Sequence, residues 1–206
     1  MTGVLNLIDV FENLKQIHLG EFLLSEPLDF DPQNERYKIK SVALVLQLHA
    51  EIEYYIEESI LFQINEKLDQ YRASNYKIVP AVLARLNAET IRINREDKSG
   101  GQKKTLSLQN SVFHSREVFS NQVVKANNGI KKDNLRSILA PFYLVDADVE
   151  KYAAHIELLS NFGHKRGKYA HTSCLLQSIE APSSLISECL EVIQAAEQIC
   201  LFIKDN

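Results

Sequence analysis

From Tyr37 to Arg72 the chain runs without a glycine or a proline. Val42, Val45, Leu46, Ile52, Ile56, Ile60, Phe62, Ile64 and Leu68, with the half-apolar His49 among them, recur mostly at steps of three or four. This spacing predicts one amphipathic helix over 37–72, about 54 Å long if unbroken, long enough to be the spine of a bundle. The rest of the sequence agrees with a helical fold. Gly and Pro number 7 and 5 in 206 residues, about half the usual share, which argues against a turn-rich sandwich or barrel and against a long disordered tail. At 45% hydrophobic and 24% charged the chain has a globular composition, and at this length it can build a core without staples.

Around the spine, Val4, Leu7, Ile8, Phe11, Leu14 and Ile17 form a helical stripe over 4–19, ended by Gly20. SEPLDFDPQNER reads as a loop. Pro80 stands where helices start, followed by a helix over 81–94. The segment 92–104 is polar and carries Arg92, Arg95, Lys98, Lys103 and Lys104 against Glu96 and Asp97. It reads as a mobile loop around 95–104, either merely solvated or a basic flap near a polyanion. Residues 105–126 are ambiguous between a strand and a helix around 113–124. Asn127-Asn128-Gly129 is a turn signal, 130–140 a short helix stopped by Pro141, 148–162 another helix, and 184–203 the last. The expectation is an all-α, up-and-down bundle of six or seven helices, one domain over 1–206.

Lys plus Arg total 23 against 27 acids, a net charge of −4, which disfavours a non-specific nucleic-acid binder but leaves room for a local basic patch. Cys174, Cys189 and Cys200 form no CxxC or Cys/His pattern. Cys189 and Cys200 stand about 16 Å apart on one helix, too far for a disulfide. Reduced thiols suit a cytoplasmic protein. The N-terminal stretch lacks a basic region ahead of its apolar residues, and no run is long enough to span a bilayer. No phosphate-binding glycine loop, HExxH or GxSxG occurs. His49 and Glu53 share a helical spacing, but two residues do not make a metal site, so neither metal nor cofactor is expected.

The densest polar cluster is 164–172, with His164, Lys165, Arg166, Lys168, His171 and Thr172. Such crowding is tolerable on a solvated turn and purposeful beside a phosphate. Arg166 can grip phosphate oxygens with two donors, and an imidazole such as His171 exchanges protons near neutrality. On one straight helix the two stand about 140° apart. Gly163 and Gly167 flank the arginine, and glycine is costly inside a helix. The expectation is therefore that the helix carrying His171 starts near Gly167, with Arg166 at its N-terminal edge, where anions are favoured.

Arg166-Gly-Lys-Tyr-Ala-His171 resembles the RxxxxH signature of HEPN domains, small helical bundles of prokaryotic defence and toxin systems. LVLQLHAEIEYYIEESI (44–60), NNGIKKDNLRSIL (127–139) and KRGKYAHTS (165–173) are similar, in that order, to segments of the RiboL-PSP and MAE-type branch. The resemblance implies a metal-independent endoribonuclease working as a homodimer, with arginine and histidine from both protomers around one composite site. Arg166 would stabilise the phosphate and His171 transfer protons. RNA would be the substrate, with an antitoxin or a defence-system protein as a further partner. Two positions depart from the pattern. Gly167 stands where many such nucleases carry a polar residue, leaving that contribution missing or supplied by His164 or Thr172. Ser173 stands where toxins paired with nucleotidyltransferases often have tyrosine.

Glu53 or His49 could orient the arginine or histidine from across the bundle; alternatively His49 is a core-edge residue and the glutamate solvated. Lys165 and Lys168 are supporting candidates. Lys131, Lys132 and Arg136 are RNA contacts or simply solvated. The rival to a nuclease is a catalytically inactive module of the same fold that binds RNA, a nucleotide or a protein.

Overall fold

The computed structural model describes residues 6–23, 31, 33–96, 107–142 and 150–205, without the side chains at 89, 91–96 and 174. Among them are seven α-helices and no strand: α1 (Leu7–Leu23), α2 (Glu35–Ala73), α3 (Ala81–Glu96), α4 (Leu108–Val118), α5 (Lys132–Leu139), α6 (Ala153–His171) and α7 (Pro182–Asp205). The all-α helical bundle read from the sequence is what the chain forms. No described helix is long and apolar enough to cross a membrane.

The long spine exists, one turn longer than its apolar pattern required. Leu48, Ile52, Ile56, Ile60, Ile64 and Leu68 are all buried. A strict four-residue step advances about 40° each time, so this stripe winds roughly 200° around α2 from Leu48 to Leu68. The chain divides into two compact units, and the division falls within this helix. The first comprises Met1–Ile56, Gly129–Lys132 and Tyr152–Ile199, the second Glu57–Asn128, Asp133–Lys151 and Cys200–Asn206.

The first unit buries Phe11 and Leu19 of α1, Tyr37, Leu44, Leu48 and Ile52 of α2, Ile156, Leu159 and Phe162 of α6, and Leu185, Ile193 and Ile199 of α7. Polar pins sit at the edge of this core. The Tyr37 hydroxyl donates to the Glu180 carbonyl at 2.6 Å, and the Lys165 ammonium bonds Glu180 at 2.7 Å and also Glu188. In the second unit α4 starts on a Ser107 cap, whose side chain accepts from the Asn110 amide. The Ser111 and Ser115 hydroxyls both donate to Asn87 of α3, at 2.7 and 2.8 Å.

Several boundaries differ from expectation. Gly20 lies inside α1, not at its end; the buried Leu19 outweighs a glycine cost of about 1 kcal/mol. Phe62 is 49% exposed, off the buried stripe. The ambiguous stretch is helical over residues 108–124, with α4 followed by a π-helical turn over Phe119–Val124. Helix α3 extends to Glu96, so Arg92 and Arg95 are helical; the remainder of the expected basic loop, 97–104, lies outside the described residues.

The largest correction concerns α6. It runs unbroken from Ala153 to His171, so no helix starts near Gly167 and Arg166 does not sit at a helix N-terminus. The two glycines are there for proximity. A Cβ on Gly163 would stand 3.2 Å from the Lys131 Cγ and 3.4 Å from the Lys131 amide nitrogen, because the 130–131 backbone lies directly on the helix. At Gly167 the nearest atom is the Lys131 Nζ at 3.7 Å, an ordinary contact. Gly167→Ala therefore gains up to about 1 kcal/mol of helix propensity. In Gly163→Ala the displaced loop offsets that gain. Thermal unfolding of both variants checks this: the Gly163→Ala midpoint should fall below that of Gly167→Ala.

Candidate functional site

The site is built within the first unit from α2, α6 and the segment Gly129–Lys132. The turn signal at 127–129 is answered by Gly129, whose φ of +132° suits only glycine. It lies against His49 of α2: a Cβ there would stand 3.6 Å from both Cε1 and Nε2 of the imidazole. The Gly129 backbone N–H donates to the Glu53 carboxylate. Two residues on, the chain rests on Gly163, and the Lys132 N–H donates to the Ser160 hydroxyl at 3.1 Å. Ser160, Gly163 and Gly167 recur at steps of three and four and so form one stripe of α6. The short segment is thus clamped to both helices, and its clamps leave the Lys131 ammonium over Gly167.

His49 is 2% exposed and stacks on Phe162, with ring centroids 6.5 Å apart and planes 19° from parallel. Burial, then the charges of Arg166 and Lys131, lower its pKa to about 4. It is therefore neutral near pH 7. Its Nδ1 stands 3.7 Å from Glu53, too far for a hydrogen bond, and a neutral ring makes no ion pair. Glu53, half-buried, is raised above the usual carboxylate range by burial, while the Gly129 N–H and the Arg166 charge pull the other way. Arg166 is half-buried on α6. Among the described residues its guanidinium has these electrostatic neighbours but no hydrogen-bond or ion-pair partner.

His171 is the last residue of α6 and is exposed. On a continuous helix it stands about 140° around the axis and about 7.5 Å along it from Arg166. In that projection the Gly163–Gly167 stripe lies between them, with Arg166 on one flank and His171 on the other.

The remaining candidates separate. His164, Lys168 and Thr172 are exposed. Lys165 is committed elsewhere. Burial disfavours its charge, but Glu180 and Glu188 more than offset this and hold its ammonium above the usual lysine range, 5.8 Å over the Tyr169 ring. It anchors α6 to α7 and stands away from Arg166. Lys131 and Lys132 are exposed on the clamped segment, and Arg136, also exposed, belongs to the other unit. Cys189 is buried with its thiol pushed up to about 12, chiefly by burial, and is a core residue. Among the described residues no three of His, Cys, Asp or Glu gather as metal ligands.

Sequence reasoning missed Ser160 and Phe162. It also read Gly163 as a helix breaker. The spacing of Ser160, Gly163 and Gly167 was the available signal.

The low pKa of His49 has a stability consequence. Its unfolded value is 6.5 and its folded value about 4, so below pH 6.5 the unfolded chain takes up a proton that the folded one refuses. The stability from neutral His49 is complete above 6.5 and is lost as pH falls towards 4. Glu53, raised in the folded state, acts in the opposite sense: its contribution is complete below its ordinary 4.5 and is lost as pH rises through the raised value, so the His49 part is isolated by comparison with a His49 variant. Urea unfolding should show about 2 kcal/mol less stability at pH 5 than at pH 7 from this residue, and His49→Gln should lack that part of the decline.

Searches for known counterparts found no matching protein-family model, no matching curated protein and no matching solved structure.

Proposed function

We propose that the chain is a metal-independent endoribonuclease of the HEPN type, a cytoplasmic toxin or anti-phage effector in which two copies pool Arg166 and His171 around one scissile phosphate. The observation that carries this reading is the half-buried Arg166 guanidinium, without a hydrogen-bond or ion-pair partner among the described residues, beside a glycine-floored stripe, with the exposed His171 imidazole on the opposite flank. RNA cleavage without a metal needs the ribose 2′-hydroxyl deprotonated, the pentavalent phosphorane stabilised and the leaving 5′-oxygen protonated. Arginine supplies the second of these. One histidine per chain supplies a single proton-transfer group, so a symmetric pair supplies base and acid. His49, held neutral, does not compete for that role; with Glu53 it lines the inner wall behind Arg166. Attack by the 2′-hydroxyl leaves a cyclic phosphate on one fragment and a 5′-hydroxyl on the other, and it restricts the reaction to RNA.

A second reading is a catalytically inactive module of the same fold that binds RNA. The absence of a polar side chain at Gly167 and the separation of His171 from Arg166 within one chain favour it.

Incubating the purified protein with single-stranded RNA and a chelator should yield cyclic-phosphate ends. His171→Ala and Arg166→Ala should each lower the rate by at least about 100-fold. A His171→Ala protein that cuts at the wild-type rate defeats the nuclease reading. RNA binding without scission by the wild type establishes the module instead.

A further inference from the structure

We propose that Lys131 is the second phosphate-gripping cation of this site, delivered over the glycine stripe of α6 by the clamped Gly129–Lys132 segment. The inference rests on the reading of the Arg166 site as a place for an RNA phosphate and deepens it by naming the group that binds the phosphodiester before any bond is broken.

Four contacts make the placement of Lys131 specific. Gly129 bends at a φ only glycine suits and lies on the His49 ring. Its N–H holds Glu53. The Lys132 amide is tied to Ser160, and the Lys131 backbone and Cγ sit on Gly163. The root of the side chain is therefore fixed at the helix surface, and its aliphatic stem crosses α6 to bring Nζ to 3.7 Å from the Cβ position of Gly167. Lys131 brings its head to Gly167, the residue next to Arg166 on α6, and both charges are felt at the imidazole of His49.

Two cations beside a stripe without side chains make a positively charged spot, and the absence of a Cβ at Gly167 lets an anion approach the helix backbone. Such a pair repels itself when empty and is relieved by a doubly coordinated anion. Lysine supplies a point charge and arginine a planar fork. That combination suits one phosphodiester whose oxygens are shared between them. Gly167 then has a positive role: a side chain there would fill the space the phosphate needs.

Binding of a fluorescein-labelled single-stranded RNA, measured by anisotropy across a salt series, tests this. The parent for the comparison is full-length His171→Ala, so that scission does not interfere. Lys131→Ala should weaken binding at least about fivefold and lower the log–log salt slope by about 0.7, the value for one phosphate contact on a single strand. Lys131→Arg should stay near the parent. Lys77→Ala, which removes an exposed lysine of the other unit, should not reproduce the loss. Because Lys131 is exposed, unchanged circular dichroism and urea midpoint should accompany the weaker binding. Unaltered affinity and slope in Lys131→Ala, or a parent that does not bind the RNA, overturns the proposal. If His171→Ala cleaves like the wild type while Lys131→Ala still weakens binding, the nuclease reading fails and the phosphate grip stands.

Discussion

The approach of the Gly129–Lys132 segment to α6 at Gly163 is the constraint on which the candidate site depends. Backbone against backbone at van der Waals distance is attainable only where the helix has no Cβ. That approach closes His49 beneath Gly129, brings the Gly129 N–H to Glu53 and puts the Lys131 chain across the helix. The same proximity sets the electrostatics. Burial and two nearby cations keep His49 neutral, and burial raises Glu53. The inner wall behind Arg166 thus holds a neutral imidazole and a half-buried carboxylate, while the exposed Lys131 lies on the outer side.

Lys165, next in sequence to Arg166, shows how one helix serves two purposes. Consecutive residues are turned about 100° from each other. One of the pair faces α7 and is held by Glu180 and Glu188; the other faces α2. The first belongs to the architecture, cemented further by Tyr37 and by the Tyr169 ring under the ammonium. A cluster that looks uniformly basic in one dimension is thus divided by helical periodicity into an anchor, a candidate phosphate contact and solvated groups at 164 and 168.

Much of the fold was legible because it rests on local rules. The absence of breakers between Tyr37 and Arg72 and the four-residue recurrence of aliphatic residues determine α2, and the Asn-Asn-Gly turn determines the bend at Gly129. The misreading over 163–167 has an equally physical origin. Two glycines in a helix cost about 1 kcal/mol each, so propensity alone argued for a break. Burial of Phe162 and Tyr169 on the same helix, and the seat that Gly163 offers to the 130–131 backbone, outweighed that cost.

By itself the sequence determined that the chain is helical, where the long helix runs, and that a guanidinium and an imidazole lie five residues apart among cations. These follow from periodicity and composition, which each residue carries with it. Only the tertiary structure decided that Lys131, thirty-six residues from Gly167 in sequence, comes to rest over it, that His49 is buried and neutral, and that Lys165 is bound to α7. Proximity between distant segments and the loss of solvent around a titratable group arise when helices pack, and no local pattern encodes them.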